Sequence, residues 1–258
     1  MPRFAANLSM LFDDVPFLDR FERAARAGFT AVEYQFPYTH PVQAIRERLD
    51  AHDLVMVLQN LPAGNAEAGD RGMACLPDRV DEFRRSVRQG ITHAEALGVP
   101  QINCLAGKAP AGVERALLRR TLVDNLRYAA AEFAHAGLKL LVEPINFYDV
   151  PGFFINTAAQ AIDVLDEVGA ANAHVQFDIY HAQRMHGELA ATIDKYLPRI
   201  AHMQLADNPG RHEPGTGEIH YPFLCQLIDK LGYGGWIGCE YKPLTSTMGG
   251  LDWITPYL

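Results

Sequence analysis

Residues 139–178 read KLLVEPINFYDVPGFFINTAAQAIDVLDEVGAANAHVQFD, and the order of patterns inside them decides the fold. Lys139–Glu143 is a short apolar run that ends on an acid, and Pro144–Thr157 is a long link rich in Pro, Gly, aromatic and polar residues. Ala158–Val168 then carries apolar residues three and four apart, Gly169 stops that helix, and His174–Asp178 is a second short run ending on an acid. Strand, helix and strand in that order require a parallel pair.

The same unit recurs on both sides. Further strands are predicted at Arg3–Asn7, Ala31–Phe36, Leu54–Gln59, Gln101–Leu105, His202–Leu205 and Trp236–Glu240, eight in all. Helical spacing marks Phe17–Ala27, Pro41–His52, Arg79–Leu97, Arg115–His135, Glu188–Tyr196 and Tyr221–Leu231. Eight alternations in about 250 residues is the (β/α)8 barrel count. No linker, composition break or low-complexity tract marks a second domain. The expectation is an α/β chain forming a single (β/α)8 TIM barrel over residues 1–258. Helix-to-strand links are short, whereas Asn60–Pro77, Pro144–Thr157 and Ala206–Tyr221 are long and would emerge on the C-terminal face, where barrel enzymes keep their active sites.

Composition narrows the function. The chain is 48% hydrophobic, with 23 basic against 31 acidic residues and a net charge of −8, which argues against a nucleic-acid surface. The start, MPRFAANLSMLFDD, is a poor secretory signal, and no run of about 18 apolar residues exists to span a membrane. Cys75, Cys104, Cys225 and Cys239 form no CxxC pair and read as small buried residues in a reducing cytoplasm. Gly107-Lys108 and Gly215-Thr216-Gly217 lack the further glycines of phosphate and dinucleotide loops, and no GxSxG elbow occurs.

The chemistry gathers at the ends of the last four strands: Glu143 in LLVEP, Asp178 in VQFDIY, Gln204 in HMQLAD and Glu240 in IGCEYKP, each about one β/α unit from the next. Any one of them alone could be a solvated strand end or a helix cap. Together they bring three carboxylates and an amide to one rim, an unfavourable convergence in a partly dry cleft without a cation. All-oxygen ligation points to Mg²⁺ or Mn²⁺ rather than zinc. His181, three residues beyond Asp178, could hydrogen-bond a substrate oxygen, and Arg211 in the long DNPGRHEPGTGEI loop could clamp an anionic one. Lys108 and Lys242 are further candidates for a carboxylate partner, and surface lysines otherwise. Phe147, Tyr148, Phe153 and Phe154 read equally as a lid wall or as a loop packed on helix ends.

The ordered set Glu143, Asp178, Gln204 and Glu240 resembles that of the xylose-isomerase-like barrels, several branches of which have a histidine where this chain has Gln204. Within that superfamily FAANLSMLF, VEYQFPY, NLPAG, AGDRGMACLP, INCLAGK, VEPIN, DIYHAQRMHGEL, HEPGTGEI and GWIGCEYKP resemble the hydroxypyruvate isomerase family from Phe4 to Pro243. The 2-oxo-tetronate isomerase branch is similar at both ends and departs near NLPAG, VEPIN and FDIYH. The resemblance implies Glu143 and Glu240 as the proton-transfer pair, Glu143, Asp178, Gln204 and Glu240 as metal ligands, and His181 and Arg211 as contacts to substrate oxygens. It implies a cytoplasmic isomerase of a small oxo acid, without nucleic-acid or membrane partners and with room for a homo-oligomer. Two other classes share such a barrel: a divalent-metal endonuclease and a non-catalytic sugar-acid-binding protein. Net charge and the lack of a histidine-rich ligand set speak against the first, and retention of two opposed glutamates speaks against the second.

Overall fold

The computed structural model describes residues 1–258. Eight parallel strands, β1 (Arg3–Asn7), β2 (Ala31–Glu33), β3 (Val55–Asn60), β4 (Gln101–Asn103), β5 (Lys139–Val142), β6 (Ala173–Asp178), β7 (Ile200–Leu205) and β8 (Trp236–Cys239), follow one another around a closed barrel. The ring shuts where β1 pairs with β8, from Arg3 opposite Trp236 to Ala6 opposite Cys239. Outside it lie α1 (Arg20–Arg26), α2 (Val42–Ala51), α3 (Val80–Leu97), α4 (Arg115–His135), α5 (Ala158–Val168), α6 (Ile179–Met185), α7 (Leu189–Tyr196) and α8 (Tyr221–Lys230). The predicted barrel is the observed one. No helix is long and apolar enough to cross a membrane, and all four cysteines are buried free thiols.

Two features differ from the expected alternation. Between β6 and β7 stand two helices, because the Asp178 carboxylate at the end of β6 accepts from the Tyr180 and His181 amides and starts α6 at once. After β8 no α-helix follows. The chain instead closes with 3₁₀ turns at Met248–Gly250 and Asp252–Tyr257, which bring Trp253 and Tyr257 edge-on to Phe4, each at 5.3 Å.

The period of two along each strand divides the side chains between two cores. Phe4 and Ala6 join the large apolar layer between barrel and helices, while Ala5, Ala31, Val57 and Leu141 meet in a small cluster. Two residues further along these four strands stand Asn7, Glu33, Gln59 and Glu143, all buried. The barrel interior is thus apolar at its base and polar toward its C-terminal end. Glu33 sits at the centre of the polar part: it accepts from Asn7 Nδ2 (2.7 Å), Gln204 Nε2 (2.8 Å) and His202 Nε2 (2.7 Å). Gln101 Nε2 reaches His202 Nδ1 at 3.2 Å, which leaves the His202 proton on the nitrogen facing Glu33. Gly238 makes room for this network, since a Cβ there would lie 2.2 Å from the Glu33 carboxylate.

Candidate active site

The segments that follow the barrel strands build its mouth, and an aspartate organises the one after β7. The Asp207 carboxylate, just past β7, accepts from the backbone amides of Asn208 (2.9 Å), Gly215 (2.9 Å), Gly217 (2.9 Å) and Ile219 (3.0 Å). The loop folds back on itself, and Arg211 takes a left-handed backbone with φ of 56°. That conformation costs an L-residue roughly 1–2 kcal/mol and needs surroundings that enforce it. Here the Arg211 amide donates to Asp207 O and its carbonyl accepts from Lys242 N, at 2.9 and 2.8 Å.

So held, Arg211 turns inward among the strand-end acids. Its Nη2 donates to Glu240 Oε1 at 2.6 Å and lies 3.8 Å from Asp178 Oδ2. Glu240 Oε1 also accepts from Gln35 Nε2 at 3.0 Å. Glu143 Oε2 accepts from Asn103 Nδ2 at 2.8 Å, and its other oxygen stands 3.8 Å from His181 Nε2. Asp178 spends Oδ1 on capping α6, and its buried Oδ2 has no hydrogen-bond partner.

Burial, then the Asp178 carboxylate, push Glu143 well above the ordinary carboxylate range. Burial likewise raises Glu240 well above that range, against the pull of Arg211. Burial also works against the charge of Arg211, but Glu240, Asp178 and Glu143 outweigh it and keep the guanidinium charged. One guanidinium faces three acids, so the site must take up protons or another cation. Glu143, Asp178 and His181 offer ligand atoms within 4.8 Å of one another. Together with the unpartnered Asp178 oxygen, that donor set fits a divalent metal ion.

His181 has a second character. Asn146 accepts from the Asp149 amide through Oδ1 and donates through Nδ2 to Asp149 Oδ2 (3.0 Å) and His181 Nδ1 (2.7 Å). This network assigns the imidazole proton to Nε2, which faces Glu143 and Asp178 at 3.8 and 3.6 Å, too far for a direct hydrogen bond. Burial pulls its pKa down to about 4, so at neutral pH it is an uncharged donor aimed into the site.

A cavity of about 340 Å³ opens above these groups, lined by Glu143, His181, Arg211 and Glu240. Of the other residues singled out in the sequence, Asp178 lies buried beside it, and Gln204 is its register neighbour on β7, with Nε2 on Glu33 and Oε1 accepting from Gln176 Nε2 at 2.6 Å. Lys108 is not brought in: it is exposed, its backbone bridges to Phe153, and it does not line the cavity. Of the four aromatics, Phe153 and Phe154 are buried, while Phe147 and Tyr148 stack on each other in the open. Sequence reasoning passed over Glu33, Asp207 and Arg71; the last lies in the AGDRGMACLP stretch and lines the cavity.

Known proteins are similar to this chain over its whole length. Escherichia coli hydroxypyruvate isomerase is 50% identical over 257 residues, covering 100% of both chains. A 2-oxo-tetronate isomerase from Cupriavidus necator is 46% identical, over 100% of this chain and 99% of its own. A solved structure described as an AP endonuclease of family 2 from Brucella melitensis superposes with a TM-score of 0.98 at 44% identity, covering 100% of this chain and 99% of that one. The profile of the xylose isomerase-like TIM barrels matches residues 21–257, and with a closed eight-stranded barrel that carries its acids at the strand ends, this chain belongs to that family.

Proposed function

We propose that the protein is a hydroxypyruvate isomerase, interconverting hydroxypyruvate and 2-hydroxy-3-oxopropanoate through an enediolate. The observation that carries this reading is the pair Glu143 and Glu240: two buried carboxyls of raised proton affinity lining one small cavity, as a proton shift between adjacent carbons requires. One takes the proton from C3 and the other returns a proton at C2, while the hydroxyl proton moves to the neighbouring oxygen. His181 Nε2–H donates to a substrate oxygen, and Arg211 holds Glu240 in place and contacts the oxygens on its side. A divalent cation, Mg²⁺ or Mn²⁺ for an oxygen-rich set, would be held by Glu143, Asp178 and Glu240, with Gln204 joining them by giving up its bond from Gln176, and would supply Lewis-acid stabilisation of the enediolate oxygens.

The cavity has room for a three- or four-carbon acid, and the net charge of −8 offers no electrostatic footprint for a phosphate backbone. Four free thiols accord with a reducing cytoplasm. The 46% identity to a 2-oxo-tetronate isomerase keeps the four-carbon acid as the second reading. Proton NMR in D₂O, on protein stripped of metal and resupplied with Mg²⁺ or Mn²⁺, separates the two. Metal-stimulated conversion of hydroxypyruvate with deuterium entering at carbon supports the proposal. Turnover of 2-oxo-tetronate alone moves the protein to the second reading, and silence on both rejects an isomerase of either acid.

A further inference from the structure

The cavity is electrically polarised along its depth. Its inner end holds the buried Glu143, Glu240 and His181, with Asp178 beside them, and its outer end is framed by the β3–α3 loop, where Asp70, its charge met by Arg79, and the exposed Arg71 both line it. A substrate carboxylate at the inner end would add a further negative charge to three acids. It belongs at the outer end, which leaves the oxo and hydroxyl oxygens at the end where the proton-transfer groups are. The cation at the inner end, Arg211, is committed to Glu240 and Asp178. Arg71 has no ion-pair partner: its Nη1 donates to the carbonyl of Asp70 at 2.7 Å, and Nε and Nη2 make no hydrogen bond.

A cation in a loose loop would pay for binding in ordering entropy, but both neighbours of Arg71 are locked. On one side Asp70 Oδ2 accepts from the Asn65 amide (2.7 Å) and from Arg79 Nη1 (2.8 Å). On the other, Gly72 N donates to Ala63 O at 3.0 Å, and Gly72 forms a β-bridge with Ala106. With φ of +97° it packs so closely that a Cβ would lie 2.3 Å from Leu105 O, so only glycine fits. The backbone at residue 71 is therefore fixed to the rim between two anchors, and a guanidinium with two free donors is delivered over the cavity.

We infer that Arg71 binds the carboxylate of the substrate and selects 2-oxo acids over neutral ketoses of the same length. This rests on the isomerase reading for the identity of the acid. The test compares hydroxypyruvate with dihydroxyacetone, in which a hydroxymethyl group replaces the carboxylate, and adds a calorimetric titration with glycerate, an unreactive acid of the same size. Arg71→Ala raises the KM for hydroxypyruvate and the Kd for glycerate about 10- to 100-fold, the worth of a charge-assisted hydrogen-bonded pair. Its kcat stays within a few-fold, its behaviour toward dihydroxyacetone is unchanged, and Arg71→Lys recovers part of the loss. Unchanged KM and Kd, an equal loss for acid and ketose, or no glycerate binding by the unmodified protein overturns the assignment. If neither oxo acid is turned over, the isomerase reading fails by itself, and the glycerate titration of Arg71→Ala still decides the role of Arg71.

Discussion

Arg211 Nη2 and Glu240 Oε1 meet at 2.6 Å, joining a left-handed loop residue to the acid that follows the last barrel strand. The cation that offsets the acids is thus supplied by a loop, and that loop is held by the four amides gathered on Asp207. Arg211→Met removes the charge and leaves Glu240 with Gln35 as its donor. The expected result is a fall in kcat/KM of about 100-fold or more, with Arg211→Lys recovering part of it. Steady-state kinetics on both variants checks this, and a loss below tenfold in Arg211→Met would show that Glu240 does not depend on the loop.

Glu143→Gln and Glu240→Gln keep the shape of each side chain and abolish its proton transfer. Each is expected to lower kcat by roughly 10²- to 10⁴-fold. Glu143→Gln should not lower the melting temperature of the metal-free protein, because that carboxyl is buried beside Asp178 and an amide relieves the repulsion, whereas Glu240→Gln breaks the buried pair with Arg211 and should lower it. Thermal unfolding alongside turnover separates the two effects. A rate loss of less than tenfold in either variant would sink the two-glutamate mechanism.

What the sequence could and could not disclose follows from the range of each interaction. Arg115–His135 and Ala158–Val168 are observed with the predicted limits, because helix periodicity is local. Strand patterns in the sequence overrun the strands at the rim: Ala31–Phe36 is regular strand only to Glu33, and Gln101–Leu105 only to Asn103, although single backbone bonds such as Cys104 N to Leu141 O continue past them. Residues such as Leu105 stay buried beyond the ladder because they line the cavity, and hydrophobicity alone does not distinguish that from a strand. Acids at strand ends were legible from spacing. Their partners were not: Arg211 reaches Glu240 only because Asp207 folds its loop, and Gln204 is fixed by Glu33 from across the barrel. Arg71 gave no periodic signal and acquires its place from anchors on either side.

The polar interior is expected to be costly to disturb. Glu33→Ala strands three buried donors, on Asn7, His202 and Gln204, and should cost about 3–5 kcal/mol. Gly238→Ala forces a methyl group against the same carboxylate and should cost about 1–3 kcal/mol. Because the two changes compete for one space, the double variant should be less destabilised than the sum. Denaturant midpoints at constant m-value measure all three. Strict additivity would mean that glycine at 238 is not there to accommodate Glu33.

The anchor beside Arg71 has a pH signature of its own. Arg79 donates to Asp70 and to both oxygens of Glu82, at 2.8, 2.7 and 2.8 Å. Burial works to raise the Asp70 carboxyl, but Arg79 and the Asn65 amide outweigh it and hold it below its ordinary value; for Glu82 the hydrogen bonds from Arg79 lead and lower it likewise. Carboxyls that are more acidic in the folded state stabilise it above their unfolded pKa values, near 3.9 and 4.3, and lose that contribution as the pH falls through the folded ones. The groups are partly exposed, so solvent screening limits the cluster to about 1 kcal/mol. Arg79→Met should therefore lower the melting temperature at pH 7, and the gap from the unmodified protein should close progressively below about pH 4. A gap that stays constant down to pH 3 would exclude the ion pairs as its source. Since Asp70 fixes the backbone next to Arg71, the same variant should raise the KM for the oxo acid at neutral pH while kcat holds. That separates a loop that merely stabilises the fold from one that presents a guanidinium to the substrate.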